Sequence, residues 1–320
     1  MTTTPYINVF ELLNPHLYET PRVGSHSIEV HSAVRNPPTI LTHKDEFFQG
    51  IAKFGFHDTM FSSPHTVWFP NQTIEVRGLR VSVVKIPTVI DLNYLWCTEY
   101  FHFLTEVLPN ALFLKNAGVS FPIFCKTSSF TIPAFQWFGI TNEVISAFPP
   151  IKTKQLVPMY VECGNPSFQK IQLLRNVIET KVRFESTHGI LLRRHGTREL
   201  LNEEDIFQFF QAAYSHLTWV IFDTLPIGET AALFSKAEIL VGPHGAGLTN
   251  MIFAPKGVKI FEIMPESDPN VCYWHLAEML GHSYKMLPVP CDRRNSMNVD
   301  VSLLTYLHMS AERESKCGLS

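Results

Sequence analysis

Residues 238–263 read EILVGPHGAGLTNMIFAPKGVKIFEI, and the fold of the chain can be worked outward from them. Glu238–Val241 is a short apolar run with the composition of a buried strand. Gly242, Gly245 and Gly247 interrupt it, and the apolar stretch that follows reads as a helix through about Phe253. Val258–Ile263 is a second apolar run of strand length. Strand, glycine turn, helix and strand make one repeat of a parallel α/β sheet. The alternation continues in both directions. Upstream lie a strand at Gly189–Arg193, a helix at Asn202–Tyr214, a strand at Leu217–Phe222 and a helix at Gly228–Ser235. The helix at Asn202–Tyr214 carries Glu203, Glu204 and Asp205 in its first turn, where the helix dipole favours acids. Downstream come a helix at Cys272–Leu280 and a strand at Tyr284–Val289. The expected class is α/β.

The first half is less regular. Short β-like runs stand at Ser27–Val30, Thr73–Val76 and Leu79–Ile86. A long helix is expected from Cys97 to Ala117, closed by Gly118. A strand at Phe121–Cys125, a helix at Ala134–Phe138 and a strand at Gln155–Cys163 follow, then the turn Gly164-Asn165-Pro166 and a helix at Phe168–Phe184. The expected division is an N-terminal domain over 1–175, a C-terminal domain over 176–300 and a helical tail over 301–320.

Composition narrows the function. With 320 residues, 45% of them hydrophobic and 17% charged, the chain can bury a large core and is not disordered. A net charge of −3 leaves no basic excess to neutralise phosphates, so a nucleic-acid partner is not expected. No apolar run approaches the length of a membrane span, and residues 1–19 do not read as a secretory leader. The six cysteines contain no CxxC pair and read as thiols of a reducing compartment. Asn71-Gln72-Thr73 is a glycosylation sequon that matters only in a secreted setting.

Three groups of residues carry the chemistry. In the glycine stretch, the small residues let backbone approach a ligand, and the amides opening the next helix favour an anion. Glu262 lies twenty residues after Gly242, an offset suited to receiving ribose hydroxyls. His244, inside the turn, either donates to a phosphate or bonds a neighbouring loop. The bland alternative is a turn required for packing only. Arg193 and Arg194 close the strand at Gly189–Arg193, where ligands of open α/β sheets sit, and one of the two is expected on a diphosphate. Lys256 is a weaker candidate and reads as surface. The third group is on the long helix. Glu99, His102, Glu106 and Asn110 recur at helical spacing and form one polar stripe among apolar neighbours. A histidine with a carboxylate one turn away suits a general base, or else a buried pair that only holds the helix. Pro109 should kink the helix or end its regular part. Neither HExxH nor Asp-x-Asp occurs, and Glu266-Ser267-Asp268 reads as a solvated loop, so no metal is expected.

The run Val241–Ile263 resembles the signature of glycosyltransferase family 61, whose members include plant xylosyl- and arabinosyltransferases and protein O-linked N-acetylglucosaminyltransferases. Tyr100–Pro109 (YFHFLTEVLP) and Leu191–Asn202 (LLRRHGTRELLN) resemble two further blocks of that family, in the same order. The resemblance spans about residues 90–290. It implies a GT-B architecture, two Rossmann-like domains with mainly parallel sheets facing across a cleft, and inverting transfer from a nucleotide sugar; with no metal motif in the sequence, the expected donor is a UDP-sugar used without metal or other cofactor. It implies donor contacts from Arg193 or Arg194, His244, Gly245, Ala246, Gly247, Thr249, Asn250 and Glu262. His102 and Glu106 would face a glycan or glycoprotein acceptor. Xylose is the favoured sugar, with N-acetylglucosamine and arabinose as alternatives. Eukaryotic members carry a membrane anchor and lumenal disulfides. A chain without either is expected in the cytoplasm, or in the ER or Golgi lumen if an anchor has been removed. Two rival readings stand beside this one. A nicotinamide-dependent oxidoreductase would use the same glycines and Glu262 as a dinucleotide fingerprint, and a non-catalytic protein would bind the nucleotide sugar without turnover.

Overall fold

The computed structural model describes residues 41–49, 68–70, 75–76, 79–80, 84–93, 96–146, 151–158, 166–305 and 308. The chain divides into two compact units between Pro166 and Ser167. The strand expected at Ser27–Val30, the sequon at Asn71, Cys163 and Cys317 lie outside the described residues.

The first unit holds a six-stranded mixed sheet. Its strands are β1 (Leu41–Gln49), β2 (Trp68–Pro70), β5 (Val84–Asp91), β6 (Ile123–Cys125), β7 (Val144–Ser146) and β8 (Ile151–Pro158). A separate two-stranded ladder pairs β3 (Glu75–Val76) with β4 (Leu79–Arg80). The order of the large sheet is β2-β1-β8-β5-β6-β7. β8, β5, β6 and β7 run parallel, and β1 joins β8 and β2 antiparallel. The order reverses beside β5, since β6 and β7 extend one way and β8 returns on the other side.

After β5 comes helix α1, which runs over 100–116 in three segments, Tyr100–His102, Phe103–Val107 and Leu108–Asn116. The middle segment is a π-turn, and the amide of Leu108 bonds back to the Phe103 carbonyl. Pro109, with no amide to give and a ring that crowds the preceding turn, accounts for the widening. The proline therefore neither stops nor breaks the helix. Gly118, at φ 75°, closes the end in the left-handed conformation, as its position implies. Phe103 packs against Phe130 and Phe135 at 5.3 and 5.6 Å, fixing α1 to helix α2 (Thr131–Trp137) and the residue before it.

The second unit is the regular one. Its five strands are β9 (His188–Leu192), β10 (Thr218–Phe222), β11 (Ala237–Pro243), β12 (Lys259–Pro265) and β13 (Ser283–Val289). They are all parallel, in the order β10-β9-β11-β12-β13. Helices α3 (Phe168–Ile178), α4 (Glu203–Ala213), α5 (Ile227–Phe234) and α6 (Cys272–Leu280) complete it. Val241, Phe261, Ile263 and Leu191 pack with Ile206 and Phe210 of α4 in one buried core, and Leu304 of the C-terminal segment joins them. The expected division at 175/176 falls inside α3, whereas the observed one precedes that helix. The reason is visible at Arg175, whose guanidinium donates to the carbonyls of Ile252 (2.8 Å) and Ala254 (2.7 Å) and binds α3 to the second unit.

The segment after the glycine stretch is a 3₁₀ helix, Ala246–Phe253, not the expected α-helix. Its far end is held by Arg175 and by His282, whose Nε2 lies 3.1 Å from the Met251 carbonyl. The connection from β9 to α4 also departs from a simple turn. It crosses the ends of the neighbouring strands and pairs with the chain beyond β13. Arg198 donates its amide to the Arg294 carbonyl, and Met297 and Leu201 exchange 2.8 Å bonds with Glu199 and Met297. The Asn202 side chain bonds both the amide and the carbonyl of Val299 at 2.9 Å. Among the described residues no helix is long and apolar enough to cross a membrane.

Candidate functional site

In the second unit the strand order reverses between β9 and β11, and ligands of such sheets bind outside the carboxyl ends at that point. Arg193 and Arg194 leave the end of β9, and Gly242 to Gly247 leave the end of β11. The two strands are neighbours, with Leu191 opposite Val241. None of the three glycines has a left-handed backbone, so tight turning is not what requires them. Close approach is. A Cβ on Gly242 would stand 2.6 Å from Leu192 Cβ, and one on Gly245 would collide with the Arg194 guanidinium. Gly247 has room, its nearest neighbour being Leu192 Cδ1 at 3.8 Å.

The two arginines separate. Arg193 is forked onto the Glu203 carboxylate, with Nε at 2.9 and 3.2 Å and Nη2 at 2.5 Å. Arg194 turns the other way and lies over Gly245. It donates to the Thr197 carbonyl at 2.6 Å, and among the described residues it pairs with no carboxylate. Burial and the neighbouring Arg198 both pull its affinity for a proton down, as expected of a half-buried cation lacking an anion. Arg198 itself is paired with Asp268 at 2.5 Å.

His244 and Glu262 form a buried pair. Their strand ends are adjacent, with Gly242 opposite Glu262, so the twenty-residue offset becomes lateral contact. The His244 amide bonds the Ile263 carbonyl at 2.8 Å, and its Nδ1 lies 2.5 Å from Glu262 Oε1. The second carboxylate oxygen accepts from the hydroxyl of Tyr284. Glu262 is fully buried, and both its oxygens face protein partners instead of opening on the strand ends as a ribose contact would. Tyr273 meets the His244 ring edge-on with centroids 5.0 Å apart. Burial pushes the Tyr273 and Tyr284 phenols well up and the Cys272 thiol to about 12, with the Glu262 charge adding in each case. Ala246 and Gly247, opening the 3₁₀ helix, are partly exposed, whereas Thr249 and Asn250 are buried behind them. The structure thus brings Arg194, His244, Gly245, Ala246, Gly247 and Glu262 to one strand edge, and turns Arg193 away from it.

In the first unit the polar stripe of α1 is graded by depth. Glu99 is exposed, the His102 side chain is 20% exposed, and Glu106 and Asn110 are buried. His102 Nδ1 stands 2.9 Å from Glu106 Oε1. Asn110 bonds the Glu106 carbonyl at 2.8 Å, and Thr105 bonds that of Phe101, so side chains serve carbonyls around the π-turn. Trp96 stacks on the imidazole with centroids 6.0 Å apart and planes 23° from parallel. The helix follows β5, at the place where the order of this sheet reverses, so this pair too opens a helix at a strand's carboxyl end. Tyr284, Tyr273 and Trp96 were not singled out from the sequence. Tyr284 shares a face with Glu262 only through the β12–β13 register, which puts Ile260 opposite Tyr284 and Glu262 opposite Met286. Among the described residues no three His, Cys, Asp or Glu side chains gather in a cluster that could hold a metal ion.

Comparison with known proteins converges on one family. The chain is 36% identical over 96 residues to an EGF domain-specific O-linked N-acetylglucosamine transferase of Drosophila melanogaster, covering 30% of this chain and 18% of that protein. From rice (Oryza sativa subsp. japonica), an alpha-1,3-arabinosyltransferase is 27% identical over 111 residues, 32% of this chain and 19% of its own length. A rice beta-1,2-xylosyltransferase is 36% identical over 76 residues, 24% of this chain and 13% of its own. The matched stretches span less than a fifth of these relatives. The Glycosyltransferase 61 family matches residues 100–261, just over half of the chain, which takes in both histidine–carboxylate regions up to the residue before Glu262. The chain belongs to glycosyltransferase family 61.

Proposed function

We propose that this protein transfers a sugar from a UDP-sugar to a hydroxyl group of a glycan or glycoprotein, with inversion at the anomeric carbon. The observation that carries the reading is Arg194, a half-buried guanidinium without a carboxylate partner among the described residues, lying over a glycine at the reversal point of a parallel sheet. A diphosphate fits that fork and the amides of the adjoining 3₁₀ helix. In this reading the two units act as the halves of a GT-B transferase, one for each substrate. His102 takes the proton of the acceptor hydroxyl through Nε2 while Glu106 holds Nδ1, and the acceptor oxygen attacks the anomeric carbon. The bond from that carbon to the β-phosphate oxygen breaks, and its electron pair leaves with UDP. Arg194, His244 and the start of the 3₁₀ helix offset the charge that develops there, in place of a metal. Relatives named for N-acetylglucosamine, arabinose and xylose transfer motivate the sugars to try, with xylose first.

Thermal unfolding tests this directly, because a ligand bound only by the folded chain raises its melting temperature. UDP-xylose, UDP-arabinose, UDP-N-acetylglucosamine and NAD are compared with and without EDTA. The expected result is a rise with UDP and one UDP-sugar, unchanged by EDTA. A rise with NAD alone would establish the dinucleotide alternative, and loss of the rise in EDTA would overturn the metal-free mechanism.

A further inference from the structure

The His244–Glu262 pair is more elaborate than a direct ligand contact requires. Glu262 has no exposed surface, and its carboxylate sits between the His244 ring and the Tyr284 hydroxyl. A carboxylate placed so cannot leave its partners to meet a ligand without stranding buried polar groups and a buried charge unpaired, which is costly. Its negative charge falls on Nδ1, so Nδ1 carries a proton and the role of the ring is decided at Nε2. Among the described residues Nε2 meets no hydrogen-bond partner, and it is not among the buried polar atoms sealed without one. Resting on the donor-site reading above, we infer that Glu262 and Tyr284 are positioning residues that act through His244, holding its ring as a cation whose Nε2–H addresses the diphosphate of the nucleotide rather than its ribose.

The groups around the ring support this division of labour. Glu262 faces it from β12, Tyr273 from α6, and Cys272 and Tyr284 face the carboxylate from α6 and β13. The thiol and both phenols are kept neutral by burial and by the Glu262 charge, so among the described residues the carboxylate is the one anion beside the imidazole. Arg194, across the glycine turn near Tyr273, is the second cation of the edge. Tyr284 donates to the oxygen that His244 does not use, which fixes the carboxylate plane and with it the direction of Nε2. No group is transferred in this arrangement. The cation offsets charge as the β-phosphate oxygen takes the electron pair.

Uridine and UDP separate this inference from a ribose contact, because both have the ribose and only UDP has the diphosphate. Binding of each is measured by calorimetry from pH 5.5 to 8.5 for the unaltered protein and for Glu262→Gln, Tyr284→Phe and His244→Asn, with thermal unfolding of each variant. We expect the unaltered protein to prefer UDP over uridine, with the preference falling as pH rises. Glu262→Gln should lose about 10-fold or more of UDP affinity, as for a charge-assisted bond, with uridine unchanged. Tyr284→Phe should lose less, in the same selective way. His244→Asn leaves the Glu262–Tyr284 pair in place and should abolish that fall, so it carries the test if Glu262→Gln does not fold. Equal losses for uridine and UDP would overturn the inference in favour of a ribose contact, and unchanged UDP affinity in folded His244→Asn would overturn it outright. If the unaltered protein binds neither compound, it is the donor-site reading that fails.

Discussion

The chain contains two histidine–carboxylate pairs built in opposite ways. His102 and Glu106 are one helical turn apart, 2.9 Å between polar atoms, with the imidazole 20% exposed beneath an aromatic lid. His244 and Glu262 come from the ends of neighbouring strands, 2.5 Å apart, with the side chains 6% and 0% exposed and a tyrosine behind the acid. A partly exposed ring backed by a buried acid can pass a proton on toward solvent. A ring enclosed with its acid is suited to holding a fixed charge. In the function proposed above, the first pair serves turnover and the second serves binding.

The largest expected effect lies on the first pair. His102→Ala should keep UDP affinity and lose about 100- to 10,000-fold in turnover, the usual worth of one general base. Retained turnover would move the base to another group and erase the contrast. A third histidine sharpens it. His282 has a carbonyl and Arg175 nearby instead of a carboxylate, and burial lowers its pKa from 6.5 to about 4. The unfolded chain then binds a proton that the folded one does not. Its contribution is complete above pH 6.5 and is lost as pH falls through about 4. The full loss would be about 3 kcal/mol. Urea unfolding at pH 7.5 and 4.5 checks this, and His282→Gln should flatten the difference. Next, Arg194→Ala should weaken UDP by about 10- to 100-fold, and Arg193→Ala far less because Glu203 already occupies that fork. Equal losses would mean that the two arginines share the ligand. The last effect is on stability. Gly242→Ala should cost about 1–3 kcal/mol by crowding Leu192, whereas Gly247→Ala, which has space, should change the melting temperature little.

The local pair was legible in the sequence because i to i+4 spacing is a property of any helix, and the π-turn that Pro109 imposes keeps the two side chains in contact. The parallel sheet of the second unit was equally legible, since its strands are apolar runs punctuated by glycine. What a single sequence does not carry is register. The offset from Gly242 to Glu262 pointed to two strands that are neighbours in the sheet, but it could not show that Glu262 lies inward against Tyr284. The choice between Arg193 and Arg194 was hidden for the same reason. Adjacent residues on a strand end point opposite ways, and which one meets Gly245 depends on β9 lying beside β11. In the first unit the antiparallel β1 and the short β7 carried no clear periodicity to announce them.

The strap from β9 to α4 has a consequence for how this protein can vary. It is tied at Arg198, Leu200 and Asn202 to residues 294–299 by backbone bonds of 2.8–3.1 Å, a bridge and an amide clamp. It works as a ruler. Three residues, His195, Gly196 and Thr197, separate Arg194 from the first tie at Arg198, and adding or deleting one of them slides the cation along the sheet edge by about 3 Å, the length of an extended residue. A change in the length of this strap must be matched by a change in the chain beyond β13.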